Sequence, residues 1–301
     1  MMTINSATII ETTLSDAWLN TVSAVDALPG RSAFHLVTRI TRPRDELPTV
    51  RVAADELSEQ LRYPSVVTVA NTIFPEELAD TSCDHHELAE RYRTMYSTIR
   101  HLALANRRGT YFGRIVAYPT SSGQVHDQLN ELIQKLRTEI KTRGPKSARY
   151  ELALDTVGDE SQPSTTVNAG GPVRKNDCSL TDVPCATISP LIHAPGRDRA
   201  AMGFPCLSFC SFQLDHDQLH LIAHYRRQHL IERGYGNYLG LGRLLRYVSQ
   251  AAGVDIGQLM VVAGVAVVDA ARYRVARLLS QARLDQTVST TPASSDVGEP
   301  A

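Results

Sequence analysis

The 301-residue chain has no excess of charge of either sign: 31 Lys and Arg stand against 32 Asp and Glu, a formal net charge of −1. That balance argues against a surface built for nucleic acid or for an anionic membrane. A long apolar run is missing too. The longest, Leu259 to Ala271, is too short to span a bilayer and carries Asp269. The opening residues, Met1-Met2-Thr3-Ile4-Asn5, lack the basic start and small-residue cleavage site of a signal peptide. A cytoplasmic location is the resulting expectation. Cysteine is sparse and odd in number. Cys83, Cys178, Cys185, Cys206 and Cys210 form no CxxC pair, which argues against a disulfide framework. The chain has a single tryptophan, Trp18.

What is present fits a globular protein, with 43% hydrophobic residues and enough length for a sizeable core. Cys206 and Cys210 precede His216, His220, His224 and His229, which invites a zinc reading. On strands, Cys206 and Cys210 share a face, as do His220 and His224. Structural zinc sites usually show tighter ligand pairing, so no metal is expected. Three stretches are too polar to offset the entropy of ordering: residues 1 to about 12, Val157 to Asp182, and Gln286 to Ala301. One domain over residues 13–285 is expected, with an inserted loop at 157–182 and a disordered tail at 286–301.

Between these stretches the pattern is mixed α/β. Helical spacing runs through His85 to Ala105, Gln128 to Arg137, Tyr238 to Val248 and Ala270 to Leu284. Strands are expected at Thr110 to Tyr118, Arg149 to Leu154, Cys206 to Gln213, Gln218 to Arg226 and Gln258 to Val268.

Three residues could serve one substrate. Cys206 stands in Gly203-Phe204-Pro205-Cys206, Arg226 in Ala223-His224-Tyr225-Arg226-Arg227, and Asn237 in Gly234-Tyr235-Gly236-Asn237. A thiol whose pKa is lowered by a nearby cation is a nucleophile. A guanidinium grips phosphate, and a carboxamide reads both a donor and an acceptor edge of a base. A thiolate that adds to a pyrimidine ring turns the neighbouring carbon into a nucleophile towards a one-carbon donor.

In these residues the chain resembles the thymidylate synthase family, which includes the deoxycytidylate and cytidylate hydroxymethylases. Pro205-Cys206, Tyr225-Arg226-Arg227 and Gly236-Asn237 lie without a gap on the family's Pro-Cys, Gln-Arg-Ser and Phe-Asn. Upstream, Gly109-Thr110-Tyr111-Phe112-Gly113, Ala117-Tyr118-Pro119, Asp127-Gln128-Leu129 and Ser147-Ala148-Arg149 continue the likeness, which spans roughly Gly109 to Asp269. The resemblance implies a mixed sheet flanked by helices and a homodimer acting on a pyrimidine nucleotide, with 5,10-methylenetetrahydrofolate as the donor. It implies Cys206 as nucleophile and Arg226 as a phosphate ligand that also activates the thiol, with Arg227 beside it. Asn237 would read the base, and Tyr111, or Phe112 if the frame shifts by one, would help move the proton from position 5. Arg149 would reach a phosphate across the dimer.

Several positions depart from the family. Its sugar-binding His and Tyr fall at Val267 and Asp269, and a nearby Asp at Val265. The Ser after the phosphate arginine is Arg227, and the Asp two further on is His229. One interface arginine is Ala148, and neither the folate-stacking tryptophans nor the hydrophobic C-terminal tail has a counterpart. Glu56 and Arg31 are the candidates for the essential glutamate and the phosphate-loop arginine.

Plainer readings stand beside these. Cys206 could simply pack, Asn237 could cap a helix beginning at Tyr238, and Tyr111 could be an ordinary strand aromatic. Arg272, Arg274, Arg277 and Arg283 read as a solvated helix face. Gly234, Gly236, Gly240 and Gly242 imitate a phosphate loop but do not follow a strand in a βαβ unit. Two functions remain: a one-carbon transferase, and a catalytically silent relative that binds a nucleotide or a partner protein.

Overall fold

A computed structural model describes residues 6–102, 106, 109–119, 125–142, 150–153 and 206–289. The inserted loop expected at 157–182, residues 290–301 of the expected tail, Arg149, Cys178 and Cys185 lie outside the described residues.

The architecture is mixed α/β, built on a six-stranded sheet in the order β1-β2-β8-β7-β6-β5. The strands are β1 (Thr8–Glu11), β2 (Ser32–Ile40), β5 (Tyr150–Ala153), β6 (Leu207–Asp215), β7 (Gln218–His229) and β8 (Asp255–Val267). β1 pairs parallel with β2, and β7 parallel with β8; the other three pairings are antiparallel. Strands from both sides of the long insertion therefore share one sheet. A small β3–β4 ribbon (Tyr118–Pro119, Val125–His126) stands apart.

Period-two alternation sorts the sheet into two faces. Leu36, Leu219, Leu221, Ala223, Tyr225, Leu259, Val261 and Ala263 are buried. Against the sheet pack α1 (Leu14–Ala27), α7 (Gln128–Thr142) and α8 (Tyr235–Ala252). The alternate residues Val37, Ile222, Met260 and Val262 stay half-buried, and Phe34 is exposed. At one level the alternation slips. Leu36, Ala263 and Tyr225 form one buried row, while Ala33, Ala266 and Gln228 form another three residues along instead of two. His35, between the rows on β2, has φ +52°. Arg226 and Arg227 occupy the corresponding gap on β7.

Two sequence expectations fail here. Thr110 to Tyr118 is not a strand: Tyr111–Val116 form the short helix α6. Thr110 caps it, its hydroxyl accepting the Gly113 N–H at 3.1 Å, and Tyr92 shares a 2.6 Å bond with the same hydroxyl. The cap overrides the β-branched and aromatic composition. The first twelve residues are also not wholly loose, because Thr8–Glu11 add a parallel edge strand to β2. The helix expected from Ala270 runs as α9, Arg272–Ser289, past the expected domain end. The remaining helices are α2 (Pro48–Leu61), α3 (Val66–Ile73), α4 (Glu76–Asp80) and α5 (His85–Leu102).

The α8 glycines are contact surfaces. A Cβ on Gly236 would lie 2.5 Å from Val69 Cβ, and one on Gly240 2.8 Å from the Ala70 carbonyl, both on α3. These glycines let α3 and α8 approach closely, a role unrelated to phosphate.

Candidate functional site

Cys206 sits just before β6, where that strand meets β7. The Arg226 N–H donates to the Cys206 carbonyl at 2.8 Å, and Leu207 pairs with Tyr225. The register shifts between Leu207 and Phe209, a disruption of the kind that re-aims side chains beside functional sites. Tyr111, the first residue of α6, reaches the same spot: the Leu207 N–H donates to its hydroxyl oxygen at 3.4 Å. The plain strand-aromatic reading of Tyr111 is thereby replaced.

The electrostatics of the thiol differ from the sequence expectation. Burial pushes the Cys206 thiol up; Arg226, Arg233 and Arg227 pull it down, and burial wins. Arg226 thus acts in the activating direction without achieving net activation. Burial also pushes the Tyr111 phenol up to about 12, with the neighbouring Cys206 adding to the shift. Both groups are protonated at neutral pH.

Between Arg226 and Asn237 lies a segment that sequence reasoning left unread. Leu230–Gly234 form a π-helical turn, a form of backbone often found at functional sites. It brings Glu232 and Arg233 within electrostatic reach of Cys206, and Arg233 within reach of Tyr111 as well. The Arg233 guanidinium pairs with Glu232 at 3.0 Å. Trp18 pins the turn from below, its indole N–H donating to the Leu230 carbonyl at 2.7 Å. No local sequence signal marked this turn, since its shape depends on α1 and on Asp269.

Asp269 secures the turn's other side. Its carboxylate accepts the Ile231 N–H at 2.9 Å and the Glu232 N–H at 3.2 Å, and faces His229 Nδ1 at 3.6 Å. Burial would raise this carboxyl, but the bonds from His229 and the backbone N–H groups hold it below the usual range. His229 and Asp269 therefore face each other as a His–Asp pair.

Asn237 is the buried third residue of α8, which begins at Tyr235, so it does not cap a helix starting at Tyr238. Val267 lies on β8 opposite His229 and Ser32. Glu56 is exposed on α2, while its neighbour Asp55 accepts the Val66 N–H that opens α3. Arg31 is engaged with Asp26 and the Ala270 carbonyl. Among the named candidates, Cys206, Tyr111, Arg226 and Arg227 come together, and Arg233 and Glu232 join them.

The zinc arrangement is not assembled. Cys210 is fully buried on the helix side, whereas His220 and His224 lie half-buried on the alternate face. His220 accepts the Gln258 N–H, and His224 pairs with the Ser208 hydroxyl. Among the described residues, His229, Glu232 and Asp269 bring their donor atoms within 4.8 Å of one another. Both Asp269 oxygens already serve the turn and Glu232 already holds Arg233, so the group reads as a structural latch. No helix among the described residues is long and apolar enough to cross a membrane.

No protein-family model matches the chain, and no curated protein matches it in sequence.

Proposed function

We propose that the chain is a thymidylate synthase-like transferase that adds Cys206 to a pyrimidine nucleotide and places a methyl or hydroxymethyl group at position 5. The observation that carries this reading is the meeting of one thiol, one phenol and three guanidiniums from β6, α6, β7 and the π-helical turn. Arg226, Arg227 and Arg233 supply the positive field for a phosphate.

A folate donor fits the described residues poorly. Trp18 is 1% exposed and engaged with Leu230, so it offers no platform for a pterin ring. The half-buried sheet face of Val37, Ile222, Met260 and Val262, with Phe34 exposed at its edge, supports a homodimer in which two such faces cover each other.

Tritium release from position 5 of UMP, dUMP, CMP and dCMP, with and without methylenetetrahydrofolate, tests the proposal. Release that disappears in Cys206→Ala supports it; no release from any of the four refutes it for these substrates. The raised thiol favours a second reading, a silent relative that binds a nucleotide. In that case Cys206→Ala binds the nucleotide as well as the parent does, and neither protein exchanges tritium.

A further inference from the structure

Tyr225 is buried to 0% exposure, and its hydroxyl has no hydrogen-bond partner among the described residues. Leaving such a group unpaired costs about 1–3 kcal/mol. Other buried tyrosines of this protein do find partners: Tyr92 bonds Thr110, Tyr235 bonds Ser15 and Tyr238 bonds Thr38. Tyr225 is the exception, and it stands beside the candidate nucleophile. Its cross-strand partner is Leu207, the residue whose N–H meets the Tyr111 hydroxyl. The titratable groups that act on it are Tyr111 from α6, Cys210 and Cys206 from the β6 segment, and Tyr238 from α8, with Tyr111 foremost.

The Leu207 N–H donates to the Tyr111 oxygen at a long 3.4 Å, and the Cys206 backbone N–H also acts on that oxygen. A phenol that moves protons needs a donor to its oxygen at the moment negative charge gathers there. The Tyr225 hydroxyl, within electrostatic reach of Tyr111 and without a partner among the described residues, is the candidate for that donor. We propose that Tyr225 is a positioning residue for Tyr111, its hydroxyl donating to the Tyr111 oxygen, directly or through one buried water, while Tyr111 transfers a proton beside Cys206. This rests on the reading of Tyr111 as the proton-moving phenol. In the elimination step, the proton at position 5 of the adduct passes to the Tyr111 oxygen. The C5–H electron pair forms the C5=C6 bond, and the C6–S bond breaks with its pair going to sulfur. The original Tyr111 proton passes to that sulfur, which regenerates the thiol. The Tyr225 O–H bond stays intact throughout.

The test uses the full chain with a fluorinated tyrosine incorporated at position 111, its ionisation followed by fluorine NMR. In Tyr225→Phe the titration of that residue should move up by about 0.5 pH unit or more, because the donor to its charged form is gone. The melting temperature of Tyr225→Phe in the otherwise native chain should stay level or rise, since the hydroxyl has no hydrogen bond to lose among the described residues. An unmoved titration overturns the proposal, as does a melting temperature lowered by several degrees. Tritium release separates the two levels. A parent that releases none while the titration still moves refutes the enzyme reading and leaves the Tyr225–Tyr111 coupling standing.

Discussion

Replacing Gly240 by alanine sets two physical effects against each other. In an exposed helix the change would stabilise by about 1 kcal/mol, because glycine is the poorer helix former. Gly240 is not exposed. A Cβ there would sit 2.8 Å from the Ala70 carbonyl oxygen, 2.9 Å from Ile73 Cβ and 3.1 Å from Ala70 Cα. Two of those atoms are backbone, so no rotamer change relieves them. Ordinary contact begins near 3.4 Å, and α3 and α8 must therefore part by about half an ångström along their seam. Overpacking of this kind costs about 1–3 kcal/mol, and here it acts on a seam that runs to the first turn of α8. Subtracting the propensity gain leaves a destabilisation of up to about 2 kcal/mol, a loss of several degrees in melting temperature. Gly236→Ala should do the same and also displace its neighbour Asn237. Urea unfolding monitored by circular dichroism measures the change. A Gly240→Ala protein more stable than the parent would refute the close-packing account of these glycines.

Iodoacetamide should modify Cys206 slowly at pH 7 and much faster above the ordinary thiol range. Arg233→Gln should push the profile higher still, and a rate plateau already reached at pH 7 would contradict the dominance of burial. Trp18→Phe removes the indole donor to Leu230 and should cost about 1–3 kcal/mol by urea unfolding. Emission from this sole tryptophan should shift when a nucleotide reaches the turn, and an unchanged spectrum on proven binding would argue against that coupling. Asp269→Asn should destabilise by about 1–3 kcal/mol at pH 7. The folded carboxyl lies below its unfolded value, so its contribution is complete above about pH 4 and disappears as pH falls through the folded value. Urea midpoints of parent and variant should therefore converge in acid; a constant gap would show that the charge is not involved.

The later half of the fold was legible because its signals are local. Period-two burial in Gln218 to Arg226 and period-3.6 burial in Gln128 to Arg137 each depend on a few neighbouring residues. Cys206 and Arg226 could be joined because two consecutive antiparallel strands bring those positions opposite each other. Other features depend on distant partners. Thr110 begins a helix because its hydroxyl is fixed by Tyr92 and used as a cap, while the same residues in isolation favour a strand. The turn carrying Glu232 and Arg233 is held by Trp18 and Asp269, both far away in sequence. The sign of the thiol's shift was hidden for the same reason: the arginines are visible in the sequence, and the depth of burial is not.

That depth bears on whether the site takes a polar ligand. A site that had become a mere piece of core would gain by replacing its orphaned polar groups with apolar ones of similar shape. Among the described residues, the Tyr225 hydroxyl and both ends of the Gln228 carboxamide are buried without a partner, on the two rows that flank Arg226 and Arg227. At about 1–3 kcal/mol each they are a large burden on a fold whose net stability is on the order of 10 kcal/mol. Core packing alone gives no reason to retain them. A polar ligand that bonds them does. The double variant Tyr225→Phe, Gln228→Met should then be more stable than the parent in urea while binding nucleotide at least tenfold more weakly. Greater stability with unaltered binding would show that these groups do not hold the nucleotide.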